Sequence, residues 1–319
     1  MTVRAILYQS SGNDQDIELT VGTPIEIGAD QLLWIDIEGR SADDLARAAG
    51  AVGLDEPALG PLRRTEHRAR ILRLPDRIIL TIGAVDAEDS DAQRRELDIV
   101  VGENHVVTVH DGPLAAIHAY ADDISEEKEL GRLDAASFTA GLIDAVFAAY
   151  FRQIEAIERD IDALDEIAVR IRGDKAFLER MLTLRRRIAR LRRALAPNRE
   201  ALAPLSRPDF ELRSDIGPIW PGLSERLERA IDAVENAREL LVGTFDLYLG
   251  RASQRTNDTM KALTVASALA LPSVILAGVM GMNFHLDFFD QPSNFFLVIG
   301  AMVAASLTIV GIARWRSWI

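Results

Sequence analysis

The sequence predicts an α+β protein in which an N-terminal α/β domain leads into a long helical stalk and two C-terminal transmembrane helices. Three observations predict it. Short β-rich runs alternate with Ala-, Asp- and Leu-containing stretches from Val3 to about Ala121. From Asp134 the pattern changes to long helical segments. No Lys or Arg occurs between Lys261 and Arg314, where the only charges are Asp287 and Asp290.

In chain order, the β-branched runs Leu32–Ile37, Ile78–Val85 and Val100–His110 read as strands, Ser41–Val52 reads as a helix, and Gly112-Pro113 closes the last strand. Ser137–Val169 and Asp174–Leu195 then have helical composition, and a third helix begins near Gly222 after the Pro218–Pro221 break. Between Leu223 and the apolar end there is no Gly-Pro stop, and Gly243 and Gly250 only weaken the helix locally. One helix from Leu223 to Met282 would extend roughly 90 Å. Leu227, Ile231, Val234, Arg238, Leu241 and Phe245 mark its packing face. The alternative is separate helices broken near Gly250.

Ala262–Met282 and Phe295–Ala313 are apolar segments of 21 and 19 residues. At roughly 1.5 Å per residue, each can cross roughly 30 Å of hydrocarbon. Arg251, Arg255 and Lys261 precede the first span, Arg314 and Arg316 follow the second, and the connector at 284–294 has no basic residue. Basic residues stay on the cytoplasmic side, so both termini face the cytoplasm and the connector faces out, which suits a multi-pass protein of the cell inner membrane. Trp315 and Trp318 fit the interface. The division expected is a cytoplasmic α/β domain at 1–130, a long-helix and stalk region at 131–261, and a two-helix membrane domain at 262–319.

No signal segment is read at Met1–Ser10, which carries Arg4 and no long apolar run. With no cysteine, metals meet oxygen or imidazole ligands. A net charge of −13 argues against nucleic-acid binding and concentrates cations around the soluble part. No nucleotide motif or catalytic spacing appears, so an enzyme is not expected, nor is a cofactor. His67, His105, His110 and His118 read as packing or surface residues. Asp86, Glu88, Asp89, Asp91, Asp122, Asp123, Glu126 and Glu127 read as solvated loops or weak cation sensors. The run Arg185-Arg186-Arg187, Arg190 and Arg192-Arg193 pairs with acidic helices, neutralises lipid headgroups, or is solvated.

Two spans cannot enclose a water-filled path, so conduction requires several copies around an axis. Asn257, Met260, Thr264, Ser267, Leu271, Val274 and Gly278 form one face of the first span that would line that axis, while the bulkier second span faces lipid. Close helix packing without conduction explains the same small residues.

Gly281-Met282-Asn283 followed by Phe284 ends the first span, after Asn257-Asp258-Thr259-Met260-Lys261-Ala262-Leu263-Thr264, Leu271-Pro272 and Gly278-Val279-Met280. In these segments the chain resembles the CorA family of magnesium and related divalent-cation transporters. The resemblance implies a funnel-shaped homopentamer with a cytoplasmic α/β funnel, a stalk helix that becomes the pore-lining span, and closure favoured by intracellular metal at subunit boundaries. It implies that Asn283 forms the selectivity ring, that Gly281 and Met282 shape its turn, and that Asn257 and Leu263 supply polar and apolar rings near the cytoplasmic surface. Leu271 stands where Met is common and Val274 where Thr often supplies a polar ring, which puts a mid-pore hydration site in question; Ser273 is the adjacent hydroxyl.

The chemistry fits. Mg²⁺ dehydrates reluctantly, and a ring of amide oxygens can hydrogen-bond its first-shell water without stripping it. The neutral ring also leaves Co²⁺, Ni²⁺ and Zn²⁺ as cargo. Asp287, Asp290 and His285 near the mouth could attract cations. The function expected is inward movement of a hydrated divalent cation, Mg²⁺ first. A proton-coupled zinc transporter on the same scaffold and a non-conducting membrane-tethered scaffold are the alternatives.

Overall fold

The structure, a computed structural model, describes residues 3–9, 14–65, 68–86, 92–126, 134–170, 174–207, 219–282 and 292–316. It divides into two compact units, Met1–Thr244 and Phe245–Ile319. In the first unit, β1 (Val3–Gln9), β2 (Gln15–Asp16) and β3 (Gln31–Glu38) precede α1 (Ala42–Val52) and α2 (Glu56–Leu62). β4 (Arg70–Arg73), β5 (Ile78–Val85), β6 (Arg94–Val101) and β7 (His105–His110) follow. Then come α3 (Ala115–Glu126), α4 (Ala135–Arg170), α5 (Asp174–Leu195), α6 (Asn198–Leu202) and a 3₁₀ turn at Ala203–Ser206. The helix α7 (Ile219–Met280) is shared between the units, and α8 (Pro292–Trp315) completes the second.

The seven strands form one sheet in the order β2-β1-β3-β7-β6-β5-β4, antiparallel except for the β3–β7 pair. Residues Leu32 to Ile37 of β3 are all buried, as expected for a central strand covered on both faces. The two-residue period sends Leu33, Ile35 and Ile37 into a core with Leu45, Ala48, Ala58 and Leu62 of α1 and α2. It sends Trp34 and Asp36 to the opposite face, where the Trp34 ring lies 5.8 Å from that of Phe138 on α4 and His118 of α3 reaches Asp36. Fully burying each such large side chain contributes about 1.5–3 kcal/mol. Helix ends are set locally: Gly53 takes the left-handed conformation that stops α1, and the Asp134 carboxylate accepts the Ser137 N–H at 2.6 Å to start α4.

The expected strand Val100–His110 is instead two strands. Gly102 donates its N–H to the His105 carbonyl at 2.9 Å, and Val101 pairs with Val106 across a tight turn. A Cβ at Gly102 would lie 2.1 Å from the His105 ring, so glycine lets that ring pack over the turn. At β5, Gly83 similarly lets α5 approach, since a Cβ there would meet the Ala194 carbonyl at 2.4 Å. The Asn198 side chain then bonds both Gly83 N–H (2.8 Å) and Gly83 C=O (2.9 Å), stapling α6 to the sheet.

α7 is a single helix of 62 residues, unbroken at Gly243, Gly250 and Pro272, and so about 93 Å long. Its buried positions in the first unit are Trp220, Leu223, Leu227, Ala230, Val234, Ala237, Leu241 and Thr244, with Ile231 beside them. Their alternating steps of four and three define the packing stripe. Arg238, expected on that face, is 62% exposed and pairs with Glu235, and Phe245 is half-buried; Ala237 holds the stripe position instead.

In the second unit, α7 and α8 contain windows of mean hydropathy 2.1 and 2.5 that are only 6% buried within the chain. A soluble helical hairpin would bury such windows against protein, so their exposure fits two helices that meet lipid or other copies. Pro292 opens α8 at the position where a missing N–H costs nothing.

Candidate functional site

Eight expected pore-lining residues lie on the continuous part of α7. Asn257, Met260, Thr264, Ser267, Leu271, Val274 and Gly278 follow alternating steps of three and four and are all exposed. At about 100° per residue this period keeps them on one slowly drifting stripe. Leu263 is also exposed but lies one residue, about 100°, around the helix from Thr264. The stripe is polar at its start, with Thr264 returning its hydroxyl to the Met260 carbonyl at 2.8 Å, and apolar further on, where Leu271 is 60% and Val274 65% exposed. Ser273 is half-buried. Pro272 has no N–H, so the Ala268 carbonyl lacks its usual helical donor.

The helix tightens as it ends. Gly281 donates to Ala277 at 3.0 Å, and Met282 donates one residue closer, to Val279, at 3.2 Å. Gly281 and Met282 therefore follow the last residue of α7, Met280. Asn283, His285, Asp287 and Asp290 lie outside the described residues.

Among the described residues of the first unit are two buried charge centres that the sequence reading missed. Arg40, only 9% exposed, contacts Asp98 at 2.7 Å, Asp111 at 2.9 Å and Glu96 at 3.3 Å, and donates to the Leu62 carbonyl at 2.7 Å. Burial pushes the Asp98 carboxyl up against the opposing effects of Thr81 and Arg40. The second centre joins Asp36, His110 and His118. Asp36 Oδ2 lies 3.1 Å from His118 Nε2 and 3.3 Å from His110 Nε2, and Thr108 donates its hydroxyl to Oδ1. Burial would raise Asp36, but the two histidines and Thr108 outweigh it and hold the carboxyl down to about 2. Burial lowers His110 and the Asp36 contact raises it, with a net rise; for His118 the hydrogen bond to Asp36 leads the rise.

These residues are 74 and 82 positions apart in sequence. The parallel register that sets Asp36 beside Thr108 and Glu38 beside His110 brings the first two together, and α3 adds the third. Reading His110 and His118 as packing or surface residues captures neither contact. The only sequence signal was a lone Asp in the apolar run Leu32–Ile37 and a His ending Val106-Val107-Thr108-Val109-His110.

The other charge clusters resolve more plainly. Within the basic run, Arg187 pairs with Asp160 and Arg192 with Glu235, both at 2.6 Å, so part of it binds acidic helices, as one of the expected roles required. Asp122 pairs with Arg4 at 3.0 Å. His67, Glu88, Asp89, Asp91 and Glu127 lie outside the described residues, as does the side chain of Glu126.

A family model described as CorA-like Mg²⁺ transporter protein matches residues 29–313. The chain is 24% identical over 292 residues to a cobalt/magnesium transport protein CorA of Thermotoga maritima, covering 90% of this chain and 83% of that protein. It is 26% identical over 307 residues to the divalent cation transporter CmaX of Pseudomonas aeruginosa, covering 92% and 88%. The complete structure of the CorA magnesium transporter from Methanocaldococcus jannaschii superposes over 100% of both chains with a TM-score of 0.81 at 23% identity. At that identity the likeness establishes a shared fold, from the sheet through both apolar helices.

Proposed function

The chain belongs to the CorA-like Mg²⁺ transporter family, and from that membership we propose that it forms a homopentameric channel that moves hydrated divalent cations inward, with Mg²⁺ as principal cargo and Co²⁺, Ni²⁺ or Zn²⁺ as possible others. It is a multi-pass inner-membrane transporter with cytoplasmic termini, not an enzyme. The observation that carries the reading is the family match at 29–313, which runs through α7 and α8.

In this reading 1–130 is the cytoplasmic α/β domain, 131–261 the long-helix and stalk region, and 262–319 the membrane domain. Five copies of α7 surround the axis. Asn257, Met260 and Thr264 meet the ion near the cytoplasmic surface, and Leu263, Leu271 and Val274 form apolar constrictions that resist passage when dry. Ser267 and Gly278 keep the wall narrow, Gly281 and Met282 turn the chain, and Asn283 holds the hydrated ion, with Asp287 and Asp290 drawing cations to the outer mouth. The Asn283 contact passes through the ion's own water, so the ion keeps its inner shell. The driving force is the membrane potential, about 2.3 kcal/mol per charge per 100 mV and twice that for a dication.

Uptake by the purified oligomer in liposomes, across Mg²⁺, Co²⁺, Ni²⁺ and Zn²⁺ with voltage and pH gradients set independently, tests this. Voltage-driven Mg²⁺ entry unaffected by a pH gradient is the expected result. Zinc entry that follows the pH gradient at clamped voltage identifies a proton-coupled carrier instead, and no uptake above empty liposomes identifies a scaffold.

A further inference from the structure

We propose that Asp36, His110 and His118 form a binding site for one nitrogen-preferring divalent cation, Zn²⁺ or its chemical neighbours Co²⁺ and Ni²⁺, built within the soluble unit of each chain. Their ligand atoms all lie within 4.8 Å of one another, and the carboxylate-to-imidazole distances are 3.1 and 3.3 Å. Zn–N and Zn–O bonds of about 2.0–2.1 Å in tetrahedral geometry separate neighbouring donor atoms by roughly 3.3 Å. The two donor separations from Asp36 are therefore those of a tetrahedral site before any rearrangement.

The surrounding hydrogen bonds orient the ligands as they would around an ion. His110 Nδ1 faces the Gly112 carbonyl at 2.6 Å. A carbonyl only accepts, so Nδ1 carries a proton; without an ion a second proton on Nε2 meets Asp36, and an ion that displaces that proton meets the Nε2 lone pair. A lone pair aimed at a carboxylate is repulsive unless a proton or a cation lies between them, and an Nδ1–H donated to a backbone carbonyl is the usual partner of a metal-bound Nε2. On the other side, Thr108 donates to Asp36 Oδ1 while its oxygen receives the Trp34 indole N–H at 3.1 Å. Thr108 thus holds the carboxylate at Oδ1, which His110 Nε2 also approaches at 3.2 Å, while Oδ2 faces both imidazoles at 3.1 and 3.3 Å and is the oxygen placed for the ion.

Access and selectivity also follow from the geometry. The His110 and Asp36 side chains are 0% and 3% exposed, whereas that of His118 is 38% exposed on α3. An ion would enter from the α3 side and keep a water as its fourth ligand. Two imidazoles and one carboxylate suit Zn²⁺, Co²⁺ and Ni²⁺, whereas Mg²⁺ requires an octahedron of oxygens that this pocket does not supply. The bound ion would tie α3 to β3 and β7 through His118. This proposal does not depend on the pore reading, since all three ligands lie in the first unit.

The test is Co²⁺ titration of the full-length protein in detergent after chelation, read by visible absorption, with His118→Gln and His118→Cys as variants. Four-coordinate Co²⁺ absorbs strongly, whereas hydrated octahedral Co²⁺ held by oxygen sites absorbs weakly. The expected result is one strongly absorbing Co²⁺ per chain, displaced by Zn²⁺ and not by a large excess of Mg²⁺. His118→Gln should weaken this Co²⁺ by more than about tenfold. His118→Cys should add a thiolate-to-cobalt charge-transfer band, which can have no other source because the chain has no cysteine. Failure of the wild type to develop the strong band, its unchanged retention in His118→Gln, no charge-transfer band in folded His118→Cys, or ready displacement by Mg²⁺ would each overturn the proposal. Thermal melting confirms that each variant is folded.

Discussion

Replacing Arg40 with Met removes one cation from a pocket containing two carboxylates that cannot reach water. The Glu96 and Asp98 side chains are 1% and 2% exposed, and Arg40 sits 3.3 and 2.7 Å from them; the third partner, Asp111, is 36% exposed and can be solvated. Breaking a buried pair by deleting one partner costs about 3–5 kcal/mol, because the remaining charge stays buried. The unit involved runs from Met1 to Thr244. For a unit of that size each kcal/mol lowers the midpoint by about 2–4 °C, so Arg40→Met should melt roughly 6–20 °C lower at pH 7.5.

The deficit also has a pH signature. Burial already raises Asp98 with Arg40 opposing it, and removing Arg40 lets it rise further, so protonating Asp98 relieves more of the penalty in the variant as pH falls through the raised value. The variant should therefore approach the wild type at pH 5. Adding Glu96→Gln and Asp98→Asn to Arg40→Met should recover part of the loss at pH 7.5. Scanning calorimetry of the detergent-solubilised protein measures all of this. A shift below about 2 °C at pH 7.5, or a deficit independent of pH, would refute the reasoning.

Two further outcomes follow from single side chains. Burial, followed by the Arg77 charge, lowers His105 to about 4, and its Nε2 has no hydrogen-bond partner among the described residues. The unfolded chain binds this proton near pH 6.5 and the folded chain only near 4, so stability falls as pH drops through that window, by up to about 3 kcal/mol. His105→Phe, which keeps a ring against Gly102, should flatten the dependence of the melting temperature on pH between 6.5 and 4; parallel curves for the two proteins would contradict this. At the apolar part of the α7 stripe, Val274→Thr adds a hydroxyl at a position 65% exposed in the chain. One added water-mediated contact worth about 1 kcal/mol should raise Mg²⁺ uptake roughly fivefold without altering assembly, and unchanged uptake would remove Val274 from the conducting wall.

The long elements were legible because each has a local signal. The uncharged stretch after Lys261 marked both apolar helices, and the absence of any stop between Leu223 and Met282 foretold the unbroken α7. β5 was read at its full length because its residues are apolar or small throughout. The β6–β7 turn was hidden within an apolar run broken only by Gly102-Glu103-Asn104, where what decides is a contact between Gly102 and His105. Arg238 was read onto the buried face from its spacing alone, although a neighbouring alanine fits the stripe and leaves the guanidinium in water. No local signal told which residues the buried charges meet, although Asp36 stands alone in an apolar run and His110 ends another. Arg40 meets carboxylates 56 to 71 residues away, and Asp36 meets its histidines only through a parallel strand crossover. The α7 stripe could be read from spacing, whereas a role for Asn283 came only from the resemblance of Gly281-Met282-Asn283.

The central claim is that the assembled chains conduct divalent cations through a ring of Asn283 amides. Its most direct test is voltage-driven Mg²⁺ uptake into liposomes by wild type, Asn283→Ala and Asn283→Asp, each normalised to intact oligomer. The account predicts that the wild type conducts, that Asn283→Ala assembles but loses selective uptake because a methyl ring cannot hydrogen-bond the ion's water, and that Asn283→Asp binds more tightly with altered ion preference. Equal uptake and equal ion competition in all three proteins would contradict it.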